Sequence, residues 1–192
     1  LSQNDDFGKD YLKGFTDALG DKAASMIVAQ ATYEVTDPTV DSQIIALKAS
    51  GANVFFNIAT SKSAAQAIRK ASESGWKPTQ YLASVSIFVS AVLKPAGLDN
   101  ATGVISATFI RDPEEPSLQN TGALVDYRAF MQQHYPAGDA NDFLNVLGYS
   151  MAQTLVQTLK QAGDNLSHEN IMRQAANLSL SLTMLYPSID VK

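Results

Sequence analysis

Asn4-Asp5-Asp6-Phe7-Gly8-Lys9-Asp10-Tyr11-Leu12-Lys13-Gly14-Phe15 is a polar turn that runs straight into an amphipathic helix. Asn4 or Asp5 can cap that helix, Phe7, Tyr11, Phe15 and Leu19 fall on one face at helical spacing, and Gly20 stops it. No strand is legible ahead of the turn, so the chain reads as beginning in the middle of a fold. In an open α/β sheet such a turn sits at the carboxyl end of a strand, where ligands bind.

Outward from that stretch, strand and helix patterns alternate. Ser25–Gln30 reads as a strand, Asp37 as the cap of a helix with Pro38 in its first position, and Gly51 as that helix's end. Val54–Ile58 is a short apolar run of the kind buried in parallel sheets, and Ser61 or Ser63 starts the next helix, which ends at Gly75. Gln80–Val85 is a further strand, Phe88–Leu93 a short helix and Gly103–Phe109 another strand. This spacing predicts an α/β fold built on a doubly wound parallel sheet. The pattern changes at Arg111-Asp112-Pro113-Glu114-Glu115-Pro116, where two prolines and three acids mark an extended, solvated crossing. Beyond it the sequence predicts helices over Gly122–His134, Asp142–Ala162 and, capped by Ser167, as far as Asn177, with no strand between them.

Composition narrows the function. The 192 residues are 45% apolar, enough for a real core. A net charge of -5 with 14 scattered Lys and Arg argues against nucleic-acid partners, because neutralising phosphates needs grouped cations. With no Cys there is no disulfide, thiolate nucleophile or thiolate metal site, and two isolated histidines, His134 and His168, do not make a zinc site. No apolar run approaches the roughly 20 residues that cross a bilayer, and no basic stretch precedes an apolar one at the start. No cofactor is expected.

Short motifs that could carry chemistry read better as structure. Asp6-Phe7-Gly8 matches the metal-binding triplet of protein kinases without the Gly-rich and catalytic loops that give it meaning. Gly148-Tyr149-Ser150-Met151-Ala152 loosely resembles a hydrolase nucleophile elbow, but it lies within a helix and has no strand before it. Asn100-Ala101-Thr102, Asn165-Leu166-Ser167 and Asn177-Leu178-Ser179 fit a three-residue glycosylation pattern that arises by chance. The pairs Asp5/Asp6 and Glu114/Glu115 lie in turns, where capping and solvation account for them. No catalytic constellation results, and the chain is read as a non-enzyme.

The turn Asn-Asp-aromatic-Gly with a Gly-Phe further along the helix also resembles a family: the periplasmic solute-binding proteins of ABC importers, in their branched-chain amino-acid or amide group. The resemblance continues, in order, through Asp37-Pro38-Thr39-Val40-Asp41, Leu47-Lys48-Ala49-Ser50-Gly51-Ala52, Ala65-Gln66-Ala67-Ile68-Arg69, Gly75-Trp76-Lys77-Pro78, Gly148-Tyr149 and Ala152-Gln153-Thr154-Leu155. It implies a type I periplasmic-binding fold of which this chain holds the second lobe (residues 1–110), helices of the first lobe (111–180) and a return crossing (181–192). The N-terminal half and its export signal would then lie upstream, and the helices after residue 112 would be only partly housed, free to rearrange, pair with a symmetry mate or dimerise through exposed apolar surface.

The crevice of such a sheet faces the strand carboxyl ends. The resemblance places ligand contacts at Phe7, in the turn Ala59, Thr60 and Ser61, and in the turn Ser84, Val85 and Ser86, with Phe143, Asn145 and Tyr149 approaching from the other lobe. Ordinary core packing is the competing reading for each aromatic, and helix capping for the hydroxyls. Family members that bind α-amino acids place a carboxylate on the turn matching Ser84-Val85-Ser86. Here that turn has no acid, nor has Val54–Ile68. An unpaired ammonium in a closed cleft would cost several kcal/mol, so an aromatic or other carboxylate is favoured over a branched-chain amino acid. The implied role is capture of a small solute in the periplasm and its delivery to an inner-membrane ABC permease. A ligand-sensing domain of a receptor or regulator with the same fold is the alternative.

Overall fold

The computed structural model describes residues 1–187 and 189–192. It divides into two compact units, Leu1–Ala107 and Thr108–Lys192.

In the first unit, Asp6–Leu19 forms α1. Asp5 is its cap, accepting the Gly8 N–H at 3.0 Å, and Gly20 ends it at φ 55°, a conformation that costs glycine nothing. A strand does precede it: β1, Ser2–Gln3, pairs in parallel with β2, Thr32–Tyr33. Two residues are too few to show an alternating pattern, and both of their neighbours are distant in sequence. The expected strand Ser25–Gln30 is replaced by a helical turn, Ala23–Met26 (α2), and extended chain. The ladder with β1 takes in only Thr32 and Tyr33, in the register Ser2↔Thr32 and Gln3↔Tyr33.

Asp37 caps no helix. Its carboxylate accepts the Glu34 N–H at 3.0 Å in a turn, and α3 starts only at Asp41, running to Ala49. Val54–Asn57 (β3) pairs in parallel with Thr79–Leu82 (β4), and Ser61–Glu73 between them is α4. A parallel bridge Ser2↔Ile58 joins the two strand pairs, giving the order β2-β1-β3-β4, and Ile105 adds one more parallel bridge to Tyr81. The expected strand Gly103–Phe109 shrinks to that single bridge because the Ser106 hydroxyl, at 2.7 Å, takes the Leu82 carbonyl that a ladder N–H would need. The predicted strand Gln80–Val85 stops at Leu82 and tightens into a single 3₁₀ turn over Ser84–Ser86. The helix expected over Phe88–Leu93 is a wide turn in which the Leu93 N–H reaches back to the Phe88 carbonyl at 3.0 Å. It runs into α5, Lys94–Ala96, followed by α6, Leu98–Ala101.

Alternation along β3 divides the two faces. Phe55 and Asn57 point into the core with Ile44, Leu47, Ile68 and Trp76, while Phe56 stacks on Phe15 of α1 with ring centroids 4.4 Å apart. The buried face of α4 is Ala64, Ala65, Ala67, Ile68 and Ala71, so the helix backbone can approach the sheet closely.

In the second unit, Gly122–His134 (α7), Phe143–Ala162 (α8) and His168–Ala175 (α9) match the sequence reading closely. Thr121, Asp142 and Ser167 each accept a backbone N–H from the first turn of the helix they cap. An antiparallel ribbon, Leu180–Ser181 (β5) with Asp190–Val191 (β6), follows, and the segment at Ile110 pairs with Leu185. Leu144, Met151, Leu155 and Leu159 recur along one side of α8 and remain exposed, as does Val156, so this face lacks a cover among the described residues.

Tyr127 is fully buried in this unit, and its hydroxyl has no hydrogen-bond partner among the described residues. Burial, with the nearby Asp142 and Asp139 carboxylates, pushes the phenol up to about 12. Tyr127→Phe removes the stranded group and keeps the ring. Urea denaturation should therefore show stability unchanged or raised by up to about 1 kcal/mol, since an unsatisfied buried hydroxyl costs roughly that much.

Candidate functional site

In the order β2-β1-β3-β4 the connections run to opposite sides of β1, so the crevice lies where the turns after β1 and β3 diverge. Phe7 stands there, half-buried, one turn ahead of Tyr11, with ring centroids 5.4 Å apart. Tyr11 in turn lies 6.3 Å from Phe56 and its hydroxyl oxygen accepts the Ser84 N–H at 3.4 Å. The helix after β1 thus reaches the turn after β4.

The turn after β3 is shaped by Asn57, which is fully buried and accepts the Ala59 N–H at 3.1 Å. Ala59 is itself buried, and its carbonyl accepts the Ser86 hydroxyl at 2.7 Å. Ser86 is therefore a tie between two turns, with its proton already engaged. Ser61 is exposed as the first residue of α4, and Val85 is 37% exposed on the rim. Thr60 donates its hydroxyl proton to Gln3 Oε1 at 2.8 Å, while its N–H donates to the Tyr33 hydroxyl at 3.0 Å.

Gln3 and Tyr33 escaped the sequence reading. Gln3 Oε1 also accepts the Tyr33 hydroxyl at 3.0 Å, and Gln3 Nε2 donates to Asp5. Only the parallel register, which sets Gln3 beside Tyr33, brings these residues together. Asp5 is held below the usual carboxylate range, first by the Gly8 N–H and then by Gln3. It stays ionised with both oxygens engaged.

Phe143, Asn145 and Tyr149 belong to the second unit. Phe143 is buried at the start of α8, and Asn145 donates to the Asp139 carbonyl at 2.9 Å, closing the preceding turn. Tyr149 lies 5.3 Å from Tyr127 and 5.0 Å from Phe130, and burial raises its phenol. With Phe130, Gln153, Val156 and Leu182 it lines an open groove of about 320 Å³.

Among the described residues no three His, Asp or Glu gather closely enough to hold a metal ion. No helix there is long and apolar enough to cross a membrane. The candidate site brings together aromatic surface and a tightly bonded polar cluster.

Among solved structures the chain is similar to a possible leucine/isoleucine/valine-binding protein from Rhodopirellula baltica SH 1 (17% identity, TM-score 0.74, 95% of this chain and 49% of that one). It is also similar to a substrate-binding periplasmic protein from Ralstonia solanacearum (22%, TM-score 0.71, 91% and 48%). A third is a putative branched-chain amino acid ABC transporter from Rhodospirillum rubrum (15%, TM-score 0.67, 95% and 50%). These establish the fold, the type I periplasmic-binding architecture, and the chain spans about half the length of each of them. No curated protein is similar enough to count as a match. The family model described as periplasmic binding protein matches residues 1–190, nearly the whole sequence. The chain accordingly belongs to the periplasmic binding protein family.

Proposed function

We propose that this chain supplies one wall of a two-lobed, non-catalytic solute trap that serves an ABC importer in the periplasm. Residues 1–110 form the second lobe, 111–180 contribute helices to the first, and 181–192 return toward the second. The exposed side of α8 then packs on the first lobe's sheet. Closure of two lobes buries the solute, and the ligand acts through its higher affinity for the closed state.

The observation that carries the ligand class is the chemistry of the three turns at the strand carboxyl ends. Phe7 and Tyr11 offer aromatic surface, while neither Ala59–Ser61 nor Ser84–Ser86 contains an acid, and the Asp5 carboxylate is already engaged by Gln3 and Gly8. A wall of this kind suits the apolar end of an aromatic or other small carboxylate, and its turns after β3 and β4 offer an ammonium no carboxylate. Branched-chain amino acids are the second reading, favoured by the names of two structural relatives. A sensory domain of the same fold is the alternative.

Thermal unfolding of the complete two-lobed protein against benzoate, short organic acids, leucine and valine separates these. A ligand at a hundred times its Kd stabilises the native state by about 2.7 kcal/mol, a shift of several degrees. A rise with benzoate alone supports the carboxylate reading, and a rise with leucine or valine overturns it. Phe7→Ala should weaken binding of the active ligand about tenfold by removing stacking and buried area.

A further inference from the structure

One side-chain amide ties together the ends of three strands. Gln3 Oε1 accepts the hydroxyls of Tyr33 at 3.0 Å and Thr60 at 2.8 Å, and Gln3 Nε2 donates to Asp5. The opposite amide orientation would set its oxygen against the Asp5 carboxylate, so the orientation of the amide is fixed by chemistry. Each hydroxyl donates within the cluster, to Gln3 Oε1 or across the 3.3 Å between Tyr33 and Thr60, and Tyr33 gives a lone pair to the Thr60 N–H. Neither hydroxyl keeps a proton for a solute. Asp5 divides its two oxygens between Gln3 and the Gly8 N–H, so the amide also holds the cap that sets the first turn of α1, where Phe7 lies.

We propose that Gln3 is the positioning residue of the solute-facing wall. Through one amide it locks the turns after β1, β2 and β3 into a single preset unit, orients Phe7 through Asp5, and withdraws Thr60 and Tyr33 as donors. The wall then receives the apolar part of a solute, and the solute's anionic group must find its donors elsewhere. This rests on the solute-capture reading and deepens it.

The test uses the two-lobed protein with benzoate as probe and follows the Gly8 and Thr60 amide resonances. Gln3→Leu should move both resonances together and weaken benzoate binding about tenfold, the scale of a lost hydrogen bond to a charged group. In Gln3→Glu the new carboxylate still accepts both hydroxyls but faces Asp5. Affinity should be low at neutral pH and recover on acidification as a shared proton rebuilds the donor, whereas the wild type stays flat over that range. In the double variant Gln3→Glu/Asp5→Asn the donor and acceptor are exchanged, and the asparagine oxygen still caps α1. Affinity at neutral pH should then return to within about twofold of wild type.

A purely structural role would lower affinity only in step with the melting midpoint, with no pH dependence in Gln3→Glu and no rescue by the second change. That result overturns the proposal, as does a Gln3→Leu variant whose two resonances stay in place. Should Gln3→Leu fail to fold, the Gln3→Glu single and double variants decide. If benzoate and the other probes do not bind wild type, the solute reading fails on its own, and the amide resonances across the same variants still decide whether Gln3 couples the turns.

Discussion

Gly8→Ala is expected to destabilise the first unit by about 3 kcal/mol or more, at the upper end of what overpacking costs. A Cβ on Gly8 would sit 1.9 Å from the Gln3 carbonyl oxygen and 2.9 Å from its carbon. Both are backbone atoms of a strand bonded on each side, so neither can swing away. Gly14, on the same helix, has nothing within 4 Å of such a Cβ. Gly14→Ala should therefore gain about 0.5–1 kcal/mol from helix propensity. Urea titrations of the two variants give opposite signs if α1 lies on β1 this closely, and a neutral Gly8→Ala would refute the close approach.

Phe55→Ala carries the second large effect, about 3–5 kcal/mol, because it empties a fully enclosed aromatic site. Phe55 is 2% exposed and its ring lies 5.1 Å from Trp76, whose indole N–H donates to the Ala52 carbonyl at 3.0 Å. Trp76 is the sole tryptophan, so its fluorescence reports on the cavity directly, with a red shift in the native state and a lower denaturation midpoint. Val54, the neighbouring residue on the opposite face, is 48% exposed, and Val54→Ala should stay within about 0.5 kcal/mol. Equal losses at both positions would contradict the assignment of the two faces.

What the sequence disclosed follows from the range of the forces involved. The face Phe7-Tyr11-Phe15, a cap at Asn4 or Asp5, the ends of α7 and α8 and the start of α9 are set within a turn or two of chain, and these were legible. β1 and β2 were not, because each exists only through a partner about thirty residues away in register. Asp37-Pro38 has the form of a helix start, yet the turn with Glu34 claims the Asp37 carboxylate first. Gly103–Phe109 has strand composition, but a serine hydroxyl occupies the carbonyl its ladder would use. The place of Phe7 in the first turn of α1 could be read from its own turn. The engagement of Thr60 and Ser86 by Gln3 and Ala59 could not, since those partners come from other strands and other turns.

The place of β1 between β2 and β3 bears on the order in which the unit can assemble during synthesis. Residues Ser2 and Gln3 leave the ribosome well before Ile58, whose N–H bonds to the Leu1 carbonyl on the far side of the strand. For that interval the future centre of the sheet has at most one neighbour, and no local hairpin can shelter it. Nascent chains arrested before Ile58 emerges should thus hold α1 and little of this unit's own sheet, which stays open to chaperones and to pairing with foreign strands. The helices of the second unit, which rely on contacts close in sequence, carry no such delay.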